Sequence, residues 1–175
     1  YYSEVSLQDP DEVKTPETAR GEIEFRDVSL EYGPVKVLEH VNLHIEPGQT
    51  VGIMGPTGSG KTCLINLIDR FIDVSAGSVL VDGVDVRDYA LRDLRGRIAL
   101  TMQDVFLFSD TVESNIAYGV PDAPMDVVVA AAKIADADGF IRANPDGYDM
   151  IVGERGTGLS GGQKQRISLA RALAK

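Results

Sequence analysis

Several things are scarce in this chain. Its 175 residues include no tryptophan and one cysteine, Cys63. A lone cysteine excludes an intrachain disulfide and a cysteine-cluster zinc site, and it agrees with a reducing compartment. Long apolar runs are missing too. The longest aliphatic stretch, Val127–Ala132, is cut by Lys133, far short of the ~18 residues that cross a bilayer. No basic segment followed by an apolar one marks a secretory leader. Positive charge is short: Lys and Arg number 17 against 27 Asp and Glu, a net charge of −10. That balance disfavours general nucleic-acid binding, which rests on neutralising phosphates. A single small polyanion can still be held where positive groups converge.

What is present suffices for a folded core. The apolar fraction is 43% and the charged fraction 25%, which excludes disorder throughout. Residues 1–20 are acidic, carry Pro10 and Pro16 and show no period, so they read as a solvated tether. Ile23, Phe25, Val28 and Leu30 suggest a strand interrupted by a bulge or turn, and Val41, Leu43 and Ile45 alternate as a half-buried strand. Val51–Met54 reads as a buried strand ending at Gly55. Leu64, Ile65, Leu67, Ile68 and Phe71 have helical spacing. Ser78–Val86 reads as a hairpin turning at Asp82-Gly83. Ile98–Met102 predicts another strand. Beyond it come a helix over Met125–Ala137, continued by Asp138–Ile141, a turn at Asn144–Gly147, and a final helix over Ser160–Ala174. These elements mix strands and helices, as in an α/β chain.

Gly55-Pro56-Thr57-Gly58-Ser59-Gly60-Lys61-Thr62 matches the phosphate-loop pattern G-x-x-x-x-G-K-[ST]. A random chain this long would match about once in a hundred, and the flanking strand and helix lower that further. The chemistry needs these residue types. Glycines let backbone N–H groups turn inward at phosphate oxygens, and the helix N-terminus adds partial positive charge. Lys61 supplies a full charge, and the Thr62 hydroxyl can ligate Mg²⁺. Cys63 follows as a small packing residue near the nucleotide rather than a reactive thiol.

A second glycine motif, Leu159-Ser160-Gly161-Gly162-Gln163, opens the last helix. Ser160 and Gln163 form a capping box. That explains the serine and glutamine but not two adjacent glycines, which cost a helix ~1 kcal/mol each. Bare glycines there leave N–H groups open to an anion. Two anion sites in one chain suggest that two copies share one nucleotide.

Taken together, these residues resemble the nucleotide-binding domain of ATP-binding cassette (ABC) transporters, from about Gly21 to Lys175. Gly55–Thr62 resembles the Walker A loop and Leu159–Gln163 the LSGGQ signature. Gln103 is similar to the Q-loop glutamine, and Tyr32 falls where the family's adenine-stacking aromatic lies. Val152–Gly156 resembles the exporter X-loop, in which Glu154 and Arg155 would report on coupling. The resemblance implies a P-loop NTPase core with an antiparallel β subdomain over 21–103, a helical subdomain over 104–175, and residues 1–20 as a linker from a membrane domain.

The resemblance further implies that two domains pair head to tail around ATP. Tyr32 would stack on adenine, residues 55–63 would line the phosphates, and Thr62 and Gln103 would hold Mg²⁺. Ser160 and Gly162 of the opposing copy would meet the γ-phosphate. The implied setting is the cytoplasmic side of a membrane, beside a membrane-spanning domain and without nucleic acid. In this family a Walker B aspartate, catalytic glutamate and switch histidine follow the signature helix, and residues 1–175 contain none of them. Asp82 ends an apolar run but precedes Gly83, so it reads as a turn residue. His40 and His44 read as surface or packing residues. The 175 residues by themselves are therefore expected to bind nucleotide weakly, not to turn over, and to leave strand edges open. Two alternatives stay open: a soluble ABC ATPase of DNA repair or translation, and a non-catalytic half of a heterodimer.

Overall fold

A computed structural model describes residues 7–102 and 104–175. The chain divides into two compact units, Tyr1–Ile98 and Ala99–Lys175.

The first unit is built on a four-stranded antiparallel sheet. Its strands are β1 (Ile23–Tyr32), β2 (Val35–Ile45), β3 (Ala76–Val81) and β4 (Val84–Asp85), in the order β2-β1-β3-β4. Helix α1 (Lys61–Ile68) falls between β2 and β3 in the chain, and α2 (Leu91–Arg97) follows β4. Phe25 pairs with Leu43 on one side and Val79 on the other. Phe25, Val28, Leu30, Val79 and Val81 bury one face together with Leu67, Tyr89 and Leu94. The expected interruption of β1 is real. The register slips between Phe25 and Val28, with Asp27 at φ 50 and its N–H on Asn42 Oδ1 at 2.9 Å. A non-glycine residue in the left-handed region is uncommon, and a bulge held by a side-chain acceptor accounts for it.

The turn between β3 and β4 is where the sequence places it. Asp82 and Gly83 both have positive φ, 49 and 79, as a two-residue hairpin loop requires. The Asp82 carboxylate also accepts the backbone N–H groups of Arg20, Gly21 and Glu22 at 3.1, 2.8 and 3.0 Å. Residues 8–20, read as a tether, are tied down along their length. Gln8 O accepts Arg70 Nη2 (3.2 Å), Asp9 Oδ1 accepts the first N–H of α2, Leu91 (2.8 Å), Lys14 pairs with Asp88 (2.8 Å), and Pro16 O accepts Arg97 Nη2 (2.9 Å). The segment is exposed, and it is held by polar bonds that leave no hydrophobic period to read.

Two expected strands are absent. Neither 51–54 nor 98–102 forms a strand, and Val51, Ile53, Leu100 and Met102 are exposed, with Met54 94% so. A β-strand is stabilised by the ladder on either side of it, and neither segment has a ladder partner among the described residues. Apolar composition alone does not supply one.

The second unit is helical: α3 (Val112–Ala117), α4 (Met125–Ile134), α5 (Asp138–Ala143) and α6 (Gly161–Leu173). Its core gathers Leu107, Val112, Ile116, Val128, Ala132, Ile141, Val152, Ile167 and Ala170. The helix expected to run through Asp138 breaks instead at Asp136, φ 55. There Ala137 N–H reaches back to Ala132 O at 2.7 Å, closing α4 before α5 starts. Helices α2 and α3 carry too short an apolar pattern to be read from sequence.

Candidate functional site

The phosphate loop lies between β2 and α1. Gly58 and Gly60 both sit at φ 85, a conformation glycine adopts without steric cost. Gly60 caps α1 and is buried against β2. A Cβ there would stand 2.8 Å from Leu38 Cδ2 and 3.2 Å from Val37 O. A Cβ on Gly55 would meet Ser59 Oγ at 2.7 Å. Within this tight loop Lys61 Nζ donates to the carbonyls of Gly55 and Pro56, both at 2.7 Å, and to Ser59 Oγ at 3.3 Å. Leu64 N–H closes on Gly60 O at 3.1 Å, so the N–H groups of Lys61, Thr62 and Cys63 lie in the first turn, which has no intrahelical acceptors.

The donor set suits an anion: an ammonium whose hydrogen-bond partners among the described residues are neutral oxygens, beside a helix N-terminus. Thr62 is exposed, and its hydroxyl is a hard oxygen of the kind Mg²⁺ takes alongside phosphate oxygens and water. Cys63 packs toward the sheet core. Tyr32 ends β1 at the hairpin tip, 52% exposed. It belongs to the same unit as the loop, and its hairpin partner β2 is the strand that touches Gly60. Gln103 and the Arg155 side chain lie outside the described residues.

The two histidines form exposed pairs. His40 Nδ1 meets Asp27 at 2.8 Å and His44 Nε2 meets Glu22 at 2.9 Å. The hydrogen bond to Glu22 raises the His44 pKa above its ordinary value, and the same bond, with Arg20, lowers that of Glu22.

In the second unit the capping box is complete. Ser160 N–H donates to Gln163 Oε1 at 2.8 Å, and Gln163 N–H to Ser160 Oγ at 3.3 Å. Leu159 packs on the core. Gly161 and Gly162 are the first residues of α6 and are exposed, and a Cβ on either would have nothing within 4 Å. Neither has a positive φ. Nothing among the described residues of the unit requires glycine at these positions.

Sequence reasoning missed one polar cluster. Asn115, 1% exposed in α3, uses its whole side chain. Its Oδ1 accepts Phe108 N–H (2.9 Å) and Arg171 Nη2 (3.0 Å), and its Nδ2 donates to Phe108 O (3.0 Å) and Thr111 O (2.9 Å). The available signal was an arginine inside the apolar end of α6; Asn115 follows Glu113 and Ser114, and nothing in its sequence neighbourhood marks it as buried.

Comparison with known proteins agrees with this arrangement. Residues 38–175 match the family described as ABC transporter. The chain is 49% identical over 158 residues to a putative multidrug export ATP-binding/permease protein of Bacillus subtilis, covering 89% of this chain and 27% of the relative. It is 47% identical over 167 residues to the ATP-dependent lipid A-core flippase of Desulfotalea psychrophila, covering 95% and 29%. The chain thus spans less than a third of the length of these relatives. A solved bacterial Atm1-family ABC exporter with ATP bound superposes with a TM-score of 0.91 at 37% identity, over 98% of this chain and 30% of that one. The family match and the superposition together show that this chain belongs to the ABC transporter family and has the fold of its nucleotide-binding domain.

Proposed function

We propose that this chain is the ATP-binding and ATP-hydrolysing module of an ABC exporter. The observation that carries the reading is the contrast between a lysine caged in a glycine loop and two glycines that no contact among the described residues explains. The first is a seat for phosphate, and the second is a surface that something must approach closely. A triphosphate held at residues 55–62 of one copy and covered by Ser160–Gly162 of another satisfies both.

Lys61 exchanges its loop carbonyls for phosphate oxygens, and the first-turn N–H groups of α1 point at the same charge. Thr62, with Gln103, would hold Mg²⁺, which when bound neutralises charge on the phosphate oxygens. Tyr32 stacks on the base. Ser160 and Gly162 of the second copy donate to the terminal phosphate and exclude water. Phosphoryl transfer depends mainly on positioning and charge, so closure of the pair organises the reaction. The names of the relatives, a multidrug export protein and a lipid A-core flippase, support outward transport by a membrane-spanning partner with this module on the cytoplasmic side. Residues 1–175 hold no acid on a strand after α6, and alone they are expected to bind nucleotide weakly without turnover.

The test is MgATP binding and hydrolysis by the full-length protein. Lys61→Ala is expected to lower turnover on the order of a hundredfold or more, the scale of losing a charge-stabilising donor. Undiminished hydrolysis in that variant would remove the phosphate seat from the mechanism.

A further inference from the structure

The segment just after Gln103 touches the far end of the signature motif's helix and the turn that leads into its near end. At the far end Arg171 donates Nη1 to Phe106 O (3.0 Å), Nε to Asn115 O (2.7 Å) and Nη2 to Asn115 Oδ1 (3.0 Å). At the near end the buried Leu107 side chain fills the space over Gly156 (φ 78). A Cβ there would stand 3.3 Å from Leu107 Cδ1 and 2.8 Å from Lys164 Cε. Gly156 O in turn accepts Leu159 N–H at 3.1 Å, one residue before Ser160. Ser160, the cap of α6, and Arg171 are about 17 Å apart along the helix.

The Arg171 contacts are unusual for a stabilising arginine. All three acceptors are neutral oxygens, and burial pulls its pKa down. Its guanidinium also lies 5.7 Å from the Phe108 ring and 5.5 Å from the Tyr118 ring, which stack on each other at 4.3 Å. A half-buried cation without a carboxylate gains little over an apolar residue of similar size. What its planar fork supplies is direction: two elements held in one orientation. Asn115, saturated by the same loop, fixes the conformation that Arg171 grips.

We propose that Arg171 and Asn115 are positioning residues that lock residues 106–108 to α6, so that Ser160 moves with the segment following Gln103 as one body. This rests on the ATPase reading for its catalytic consequence but not for its mechanical one. Any displacement of residues 106–108, by nucleotide or by a partner, is delivered to Ser160. Lys61 is held by Gly55, Pro56 and Ser59 of its own loop, so nucleotide affinity at Lys61 is expected to be left intact.

The experiment uses the full-length protein with Arg171→Met and Arg171→Lys. Both are expected to lower kcat roughly tenfold with KM for ATP within about twofold, the pattern of an interaction made only in the transition state. Lysine keeps the charge but not the fork, so it should not rescue. Amide exchange without nucleotide is the second readout. Exchange is expected to quicken at Leu159, Ser160 and Gln163 together with Phe108, while α4 stays unchanged. Full turnover in Arg171→Lys would overturn the proposal, as would unchanged exchange at Ser160 or faster exchange spread evenly over α3, α4 and α6. The exchange arm needs no ATP, so its failure is distinct from a failure of Lys61→Ala to affect hydrolysis.

Discussion

The two glycine motifs of this chain look alike in sequence and differ in physics. In the phosphate loop the glycines answer to the chain itself. Gly60 is buried on Leu38 and Val37 at a positive φ, and Gly55 leaves no room beside Ser59. At the start of α6 the glycines answer to nothing among the described residues, since a Cβ on Gly161 or Gly162 would meet open space there. The first pair is needed to build the fold. The second runs against helix propensity, as the contact surface proposed above would require.

Three outcomes break or sharpen that contrast, and a fourth probes the sheet beside the first motif. The largest is expected from Gly162→Ala in the full-length protein. Turnover should fall on the order of a hundredfold, as when a transition-state donor surface is pushed away, while thermal stability rises by about 1 kcal/mol from helix propensity. A variant both stable and active would erase the distinction. Gly60→Ala should do the reverse. The positive φ and the clash with β2 should cost about 3 kcal/mol, seen as a lowered denaturation midpoint. Ser160→Ala removes the cap and should cost about 1 kcal/mol, measurable by thermal melting.

The smallest effect is electrostatic and lies outside both motifs. His44 has a raised pKa, so its stabilisation is present below its ordinary value of 6.5 and fades as pH rises through the folded value. Glu22 has a lowered pKa, so its contribution is present above 4.5 and fades as pH falls through the folded value. The pair therefore supports the sheet most between these values. It is exposed, and added salt should flatten the dependence. Stability profiles of His44→Ala across pH 4 to 8 check this, with loss of the slope between those limits as the expected result.

Local chemistry was the legible part of the sequence. Asp82-Gly83, the capping box at Ser160 and the loop at Lys61 are decided within a few residues, and each lies where reading placed it. What depends on distant partners was not legible. Val51–Met54 looks like a strand by composition, but a strand exists only beside another. Asp136 breaks a helix through a backbone bond to Ala132 that no periodicity announces. Asn115 follows Glu113 and Ser114 and Arg171 sits in an apolar helix end, and only the fold reveals that they face each other.

The polar bonds along residues 8–20 bear on where this protein can be cut. Sequence punctuation invites a shortened gene beginning at Gly21. Such a product would take Gln8 away from Arg70, which is only 6% exposed, and Asp9 away from the opening amide of α2. It would also leave the Asp82 carboxylate without the Arg20 amide it accepts. The working boundary for dissecting the first unit therefore lies upstream of Gln8, and a shorter piece that precipitates would be reporting a misplaced cut rather than an unstable sheet.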